Sequence, residues 1–551
     1  MNASQRIQLF GLLGMAVVML FPGLDAADLI DWDENIYAEA SRQMVLRDDY
    51  LNIVINGHPF AEKPPFFFWL QSLSYHLFGI SEFSARLPSA TAGLLLTGWL
   101  YLVGRRARSH RFGLLWGLIY LSAVLPGIFA RSGVIDHTFN LFIALGTFLL
   151  FFYEKECRQR GRSSKASFTG NSSWLWLSLA SIFMGLAVLT KGPVGGVIPL
   201  VAFASFKFLS EARRVPLYHF LYCGVLSLTV ACSWYLANWM IYGSKFLADF
   251  IEFQLKLLNQ PLEGHTGPFF YHWALALFGF LPWTALLIIG PFRPSHHDPE
   301  LVPLLRLGLG WMLFVLVLFS FVSTKLPHYS ASVYIPLSMW AAAMLDRRLS
   351  EKRMFPRMFA MLLGASGMLL AVGFMAFPHI AGKEVLLVDP DFPWEIPDAI
   401  YWTGSAMLLL VLTGSVAWGY GRVRTGVVLI VLSMVCWTQG LWRFQVPLGL
   451  SFLQGPVLEM VEEAKRKEQA VVLYRYVSFA ALFYGRQPIE MLHTYKFPGN
   501  PGILDKPGED ALAVITKKSH RESLLREHPL VVPVRESGSF ALYKLPAFKQ
   551  E

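Results

Sequence analysis

The 551-residue chain is 54% hydrophobic and 15% charged, with a mean hydropathy of +0.44. Soluble proteins carry about 25% charged residues, so this composition excludes an ordinary soluble protein and predicts an all-α polytopic membrane protein. The net charge is +9, but the basic residues cluster in short segments between apolar runs. That placement indicates membrane topology, and we expect no nucleic-acid partner.

Long apolar runs predict about thirteen membrane-spanning helices, because about 17–25 apolar residues cross a bilayer. The first run lacks a small-residue cleavage motif, so we expect it to remain as a span and not to be removed as a signal peptide. The predicted spans are 7–28, 83–104, 112–130, 134–153, 174–190, 193–209, 217–242, 268–291, 304–323, 329–346, 356–378, 398–419 and 423–445.

Basic residues are concentrated in every second segment between spans, and this alternation predicts the orientation of the chain. The opposite segments carry isolated bases such as Arg131, Lys191 and Lys325. By the positive-inside rule, the N-terminus is then cytoplasmic, and the segment 29–82 and the C-terminal region are periplasmic, in a bacterial inner membrane. The base-rich segments contain Arg105, Arg106, Arg108, Arg111, Lys155, Arg158, Arg160, Arg162, Lys165, Arg213, Arg214, Arg293, Arg347, Arg348, Lys352, Arg353, Arg422 and Arg424.

Two regions outside the spans are expected to fold. The first loop (29–82) contains an aromatic segment, 64–79, predicted to be a helix lying in the membrane interface with Trp69 and Tyr75 at headgroup level. A spanning helix there would invert every later loop and break the charge bias. We therefore divide the chain into a transmembrane domain, 1–446, and a small periplasmic α/β domain, 447–551. In the second domain we predict helices around 459–467 and at 519–527, and strands at 470–477, 511–516, 531–534 and 539–545.

Isolated polar residues occur at six places that the predicted topology brings to one membrane face. Charges at such depth usually face a cavity or pair with one another. Each residue also has a simpler explanation, since Asp33 or Asn35 can start a helix and a lysine can snorkel from a span end. Their convergence nevertheless predicts a polar site, built from Asp33 and Glu34, Glu62 and Lys63, Arg131 and Asp136, Lys191, Glu263 and His265, and Lys325 with His328 and Tyr329.

These residue types suit an anionic, lipid-linked substrate. Lys63, Lys191 and Lys325 can hold a phosphate or diphosphate as point charges. A carboxylate can act as general base toward an acceptor hydroxyl. Glu62 and His265 can together bind a divalent metal, because imidazole and carboxylate suit several such ions.

Short motifs in this order resemble the polyprenyl-phosphate-dependent glycosyltransferases of the GT-C class. Within that class the chain is similar to the lipid A aminoarabinose transferases. The motifs are Asp33-Glu34-x-x-Tyr37-Ala38-Glu39, Glu62-Lys63-Pro64-Pro65, Phe83-x-x-Arg86-Leu87-Pro88-Ser89, Asp136 after Arg131, Thr190-Lys191-Gly192, His265 with Pro268 and Tyr271, and Lys325-Leu326-Pro327-x-Tyr329.

The resemblance implies transfer of a sugar, 4-amino-4-deoxy-L-arabinose, from undecaprenyl phosphate to lipid A or another envelope acceptor on the periplasmic side. It implies that Asp33 is the essential acid, with Glu34 and Asp136 as further catalytic carboxylates. Lys63 and Tyr329 would contact the lipid phosphate, with Tyr37 beside them. Glu62 and His265 match positions that hold a metal, and we expect a monomer in contact with membrane lipids.

Two departures from the family pattern remove positive charge from the implied phosphate site. Ile36 stands where the aminoarabinose transferases carry Arg, and Thr266 replaces a basic residue beside His265. The alternatives are therefore another sugar, or transfer to a lipopolysaccharide core sugar or a protein hydroxyl. A lipid flippase or transporter is a more distant alternative, since it would place charges near the bilayer midplane, often with inverted repeats.

Overall fold

The structure is a computed structural model. It describes residues 1–160, 171–209, 216–259, 265–289, 301–351, 357–494, 499–505 and 511–547. Among the residues singled out above, those outside the described ranges are Arg162, Lys165, Arg213, Arg214, Glu263, Arg293, Lys352 and Arg353.

The helices of the described residues form an apolar bundle followed by a small mixed domain. In chain order they are α1 (Ala3–Leu20), α2 (Asp33–Arg47), α3 (Phe66–Phe78), α4 (Glu82–Ala107), α5 (His110–Leu121), α6 (Val124–Arg131), α7 (Asp136–Arg160), α8 (Asn171–Lys191), α9 (Val194–Leu209), α10 (Leu217–Tyr242), α11 (Ser244–Asn259), α12 (Tyr271–Gly279), α13 (Thr284–Ile289), α14 (Val302–Phe321), α15 (Tyr334–Ser350), α16 (Arg357–Val388), α17 (Asp398–Gly419), α18 (Val423–Gly440), α19 (Val446–Leu453), α20 (Gly455–Arg466), α21 (Phe479–Gly485) and α22 (Arg521–Glu527).

Each predicted span coincides with a helix or with a pair of consecutive helices. Within the described residues, nine helices are long and apolar enough to cross a membrane, or ten if α5 and α6, which meet at a 70° bend, form one span. The other predicted spans correspond to α9, to α12 with α13, and to α15, which are shorter or interrupted. The polytopic helical fold is thus confirmed, and the count of thirteen spans stays a prediction.

The first loop folds into α2, a short β-hairpin with two residues in each strand, and α3. The hairpin pairs β1 (Val54–Ile55) with β2 (His58–Pro59) in antiparallel fashion. The helix expected at 64–79 is present as α3, and the headgroup-level position of Trp69 and Tyr75 stays a prediction. Tyr75 is buried and its hydroxyl donates to the carbonyl of Ala38, 3.3 Å away. The α3 side chains that remain exposed are Leu73, His76, Leu77 and Phe78.

The C-terminal region contains a five-stranded mixed sheet. Its strands are β3 (Ala470–Tyr474), β4 (Glu490–Leu492), β5 (Leu512–Lys517), β6 (Val532–Ser537) and β7 (Phe540–Leu545), in the spatial order β4-β3-β5-β7-β6. The pairs β3–β4 and β3–β5 are parallel, whereas β7 is antiparallel to both of its neighbours. The predicted α/β character is correct, but α21 and β4 were not expected.

The C-terminal sheet domain packs directly on the first loop. Asp31 accepts hydrogen bonds from the amides of Phe479 and Ala480, in the first turn of α21, at 2.9 and 3.0 Å. The amide of Leu29 donates to the hydroxyl of Tyr484 at 2.8 Å. The two regions therefore lie on the same side of the helical bundle, next to the polar residues described below.

Candidate active site

A polar cavity of about 390 Å³ lies between the start of α2, the segment before α3, the end of α6 and the segment before α15. It brings together residues from distant parts of the sequence. Of the predicted site residues, those lining it are Asp33, Glu34, Glu62, Lys63, His265, His328 and Tyr329.

Asp33 is the first residue of α2, so its carboxylate lies at the positive end of the helix dipole. The preceding Trp32 has a φ of 75°, an uncommon conformation for a bulky residue. The Asp33 side chain is 40% exposed, and its Oδ2 atom lies 3.9 Å from Nε2 of His328. Asp33 is thus a carboxylate held at the cavity wall yet accessible from it.

Glu34, the next residue, occupies a different environment. It is buried and forms an ion pair with Arg86, with Nη2 and Oε2 2.8 Å apart. Its oxygens also accept from the amides of Ile30 and Gly133. Arg86 in turn donates to the carbonyls of Leu24, Ala27 and Asp28, in the segment between α1 and α2. These contacts give Glu34 a structural role, and its predicted catalytic role stays untested.

Asp136 and Lys191, predicted separately, form an ion pair. Asp136 starts α7 and Lys191 ends α8, where Gly192 turns the chain at a φ of +98°, which favours glycine. The Lys191 ammonium also lies 5.1 Å from the ring centroid of Tyr329, a residue of the cavity wall. The pair therefore supports the cavity from behind Tyr329.

Lys63 precedes Pro64 and Pro65 at the start of α3, and its ammonium lies 5.3 Å from the ring centroid of Phe253. Burial lowers the pKa of Lys63, although the neighbouring Glu62 carboxylate opposes that shift. An anionic ligand would offset the same burial cost, because it stabilises the protonated amine.

Tyr37 does not line the cavity. It is buried on α2, and its ring makes edge contacts with Phe67 and Phe68 of α3, with centroids 6.0 and 5.7 Å away. Burial, reinforced by the carboxylates of Asp33 and Asp136, raises the pKa of Tyr37 well above its usual value. Its hydroxyl is therefore neutral, and its packing holds α2 against α3 beneath the cavity.

Lys325 is not brought into the cavity either. Its ammonium donates to the carbonyls of Phe319 and Ser320 at 2.8 and 2.7 Å, at the C-terminal end of α14. A cation at this end of a helix is favourable because the last carbonyls lack partners within the helix. Its backbone amide donates to the carbonyl of His265 at 3.0 Å, so Lys325 positions the neighbouring cavity residue.

Glu62 and His265 both line the cavity, as metal ligands at a shared site would. Their carboxylate and imidazole groups suit a divalent transition metal. Within the described part of the chain, they belong to no group of three potential ligands close enough to share one ion. A metal held by this pair stays a prediction.

His328 and Ile36, both singled out in the sequence, also line the cavity, with His328 opposite Asp33. Phe253 of α11 lines it too and was not singled out in the sequence. Phe253 carries no sequence signal, because only the fold brings α11 to this wall.

Known proteins share the architecture described above. A family model described as dolichyl-phosphate-mannose-protein mannosyltransferase matches residues 62–236. The crystal structure of ArnT from Cupriavidus metallidurans bound to undecaprenyl phosphate superposes over 100% of both chains, with a TM-score of 0.78 at 22% identity. At that identity the similarity establishes the fold.

Two curated relatives carry the same functional name, undecaprenyl phosphate-alpha-4-amino-4-deoxy-L-arabinose arabinosyl transferase. The protein from Aeromonas salmonicida is 30% identical over 341 residues, covering 58% of this chain and 56% of the relative. The protein from Enterobacter sp. is 27% identical over 492 residues, covering 86% and 80%. The chain spans 56–60% of the length of the first curated relatives it matches.

The long apolar helices and these bacterial relatives identify a bacterial membrane protein. The family model, the curated relatives and the superposed structure agree with the motifs found in the sequence. The chain is similar to the ArnT-like glycosyltransferases of the GT-C class.

Proposed function

We propose that the chain transfers 4-amino-4-deoxy-L-arabinose from undecaprenyl phosphate to lipid A at the periplasmic face of the bacterial inner membrane. One observation carries the proposal: Asp33, Lys63, Glu62, His265 and Tyr329 line a single cavity of about 390 Å³. The cavity combines the accessible carboxylate of Asp33 with the half-buried ammonium of Lys63, two groups that suit transfer from a lipid phosphate. The names of the curated relatives support the donor.

In this reaction the bond between the sugar C1 and the phosphate oxygen breaks as the acceptor oxygen bonds to C1. The leaving phosphate takes the bonding electrons and gains one negative charge. The Lys63 ammonium would stabilise that developing charge more strongly than the ground state, as catalysis requires. Asp33 would accept the proton of an acceptor hydroxyl, a contribution of about 10²–10⁴-fold.

Glu62 and His265 would hold a divalent cation in this proposal. Bound there, the ion would add positive charge beside the phosphate. The Lys191–Asp136 pair would keep the Tyr329 ring in place, because Lys191 contacts that ring.

The decisive experiment compares lipid A from a deletion strain and from its complemented strain by mass spectrometry. Addition of one aminopentose in the complemented strain is the expected result. Purified protein in vesicles should also transfer the sugar from its undecaprenyl phosphate donor to lipid A. An unchanged lipid A mass would contradict the proposed acceptor.

A second candidate is transfer to a protein hydroxyl, which the description of the matching family model favours. The two candidates share the donor side and differ in the acceptor. A lipid A mass that is unchanged, together with a sugar-modified envelope protein that depends on the gene, would select this second candidate.

A further inference from the structure

A second cluster of metal-binding side chains lies in the C-terminal sheet domain, outside the polar cavity. His493 follows β4, Glu527 is the last residue of α22, and His528 comes directly after it. One nitrogen or oxygen atom from each lies within 4.8 Å of the other two. Two imidazoles and a carboxylate are a common donor set for zinc and related ions.

The buried histidine of the cluster is oriented as a metal ligand would be. The Nδ1 atom of His528 lies 3.1 Å from Oδ1 of Asp505, so the ring donates its Nδ1 hydrogen to a carboxylate. This leaves Nε2 with a free lone pair, the arrangement in which carboxylates orient metal-bound histidines. The His528 side chain is 7% exposed.

Nε2 of His528 is a buried polar atom without a hydrogen-bond partner among the described residues. Burying such an atom unpaired is costly, and a bound ion is one of the few explanations of such an atom in a folded protein. Its location among His493 and Glu527 supplies the other ligands that an ion needs.

The carboxylate of Glu527 already accepts two hydrogen bonds, and it can still bind a cation. Its Oε2 accepts from the hydroxyl of Tyr474 at 2.6 Å, and its Oε1 accepts from Arg475 at 2.9 Å. A carboxylate has about four lone-pair sites, so two remain. The contact with Arg475 is exposed, and such pairs contribute little to stability.

We propose that His493, Glu527 and His528 bind a zinc-class divalent ion that ties the segment after β4 to the end of α22. Tetrahedral bonds of about 2.0–2.1 Å place ligand atoms about 3.3 Å apart, so side-chain rotations that shorten these separations by up to about 1.5 Å close the site. Asp505 is a positioning residue, since it acts through His528. This site is independent of sugar transfer, and its expected effect is stabilisation of the C-terminal domain.

The test uses the full chain in detergent, stripped with a chelator and then given zinc chloride. The combined substitution Glu62→Gln and His265→Ala removes the candidate ligands of the polar cavity. In that background, we expect about one zinc per chain by elemental analysis and a zinc-dependent rise in Tm. Adding His493→Ala should abolish both effects, whereas adding His520→Ala, another histidine of this domain, should change neither.

His493 is exposed, so its replacement tests the ligand without opening the core. Asp505→Asn should weaken zinc binding by about 10–100-fold without removing it, as expected for a residue that orients a ligand. Cobalt in place of zinc should give the visible absorption of a tetrahedral site, lost with His493→Ala. Zinc binding that is absent in the cavity-variant background, or equal in His493→Ala and His520→Ala, would overturn the proposal.

Discussion

The Oδ2 atom of Asp33 lies 3.9 Å from Nε2 of His328, although the residues are separated by nearly three hundred positions in the chain. Burial lowers the pKa of His328, while the carboxylates of Asp136 and Asp33 oppose that shift. His328 is then largely neutral near neutral pH. A neutral imidazole at this distance leaves the Asp33 carboxylate free to act on a substrate.

Replacing Asp33 with Asn should abolish transfer without affecting the fold. Asn has the same shape but cannot accept a proton as a base, so turnover should fall by at least about 10²–10⁴-fold. The assay is sugar transfer in vesicles, with Tm measured in parallel. Asp48→Asn is the matched control, because Asp48 is exposed at the other end of α2. Near-wild-type turnover in Asp33→Asn would contradict the role assigned to Asp33.

The adjacent Glu34 should behave differently, because its partner is Arg86. Removing one member of a buried ion pair leaves the other charge uncompensated, which costs about 3–5 kcal/mol. Glu34→Ala should therefore lower the stability of the purified protein strongly, as measured by thermal unfolding. Glu252→Ala, which removes an exposed carboxylate paired with Lys256, should have little effect. A folded, stable Glu34→Ala protein without activity would instead support a catalytic role.

The polar residues of the cavity could be predicted from the sequence because each is marked by its own short segment. Asp33, Lys63 and Tyr329 each lie beside a span end or in a tight turn, where topology alone brings them to one face. The roles of Glu34 and Lys325 were not separable by the same argument. The Glu34 carboxylate is paired with Arg86, and the Lys325 ammonium donates to two carbonyls of α14. Arg86 is brought to Glu34 by tertiary packing, which spacing in one sequence does not encode. The acceptors of Lys325 are local, but the sequence does not show that its ammonium turns back to the helix end.

In the C-terminal domain, too, some elements were predicted from the sequence and others were not. Alternation and apolar runs predicted β3, β5 and β7 close to their observed limits, because each is a buried strand. The three-residue β4 and the seven-residue α21 were not found. Segments this short carry little periodicity, and α21 is stabilised by contacts with Asp31 from the far end of the chain.

Lys63→Ala should weaken binding of undecaprenyl phosphate, because the ammonium would offset the phosphate charge. Lys63→Arg retains the charge and should lose less affinity. The matched control is Lys245→Ala, an exposed lysine at the start of α11. Binding can be measured by competition with a fluorescent lipid phosphate in detergent, and equal affinities for Lys63→Ala and wild type would exclude the assigned contact.

The pKa of Lys63 also predicts a pH dependence. Since burial lowers that pKa, the ammonium loses its proton at a lower pH than an exposed lysine does. The affinity for the lipid phosphate should therefore be fully present below this lowered pKa and fall as the pH rises through it. Lys63→Ala should lack that fall, and the same alkaline decline in both proteins would assign it to another group.

Asp31 should contribute to docking of the C-terminal domain on the first loop. Asp31→Ala removes the acceptor for the amides of Phe479 and Ala480 and for the hydroxyl of Ser478. Loss of a comparable helix-capping contact costs about 0.5–2 kcal/mol, so Tm should fall, with increased proteolysis between the domain and the bundle. Asp391→Ala, at an exposed aspartate, should leave both measurements unchanged. An unaltered Tm for Asp31→Ala would show that the contact contributes nothing.

Asp31→Asn should distinguish the contribution of the hydrogen bonds of Asp31 to stability from the contribution of its charge. Burial raises the pKa of Asp31, although its four hydrogen bonds oppose the shift. The folded chain therefore binds this proton more tightly than the unfolded chain, and the stability contributed by Asp31 rises as the pH falls through the folded-state pKa. Asn keeps an acceptor oxygen but does not titrate. The Tm of wild type relative to Asp31→Asn should thus increase as the pH falls from neutral toward about pH 4, the ordinary pKa of Asp. A difference that is constant or of opposite sign would show that Asp31 is not destabilised by its burial.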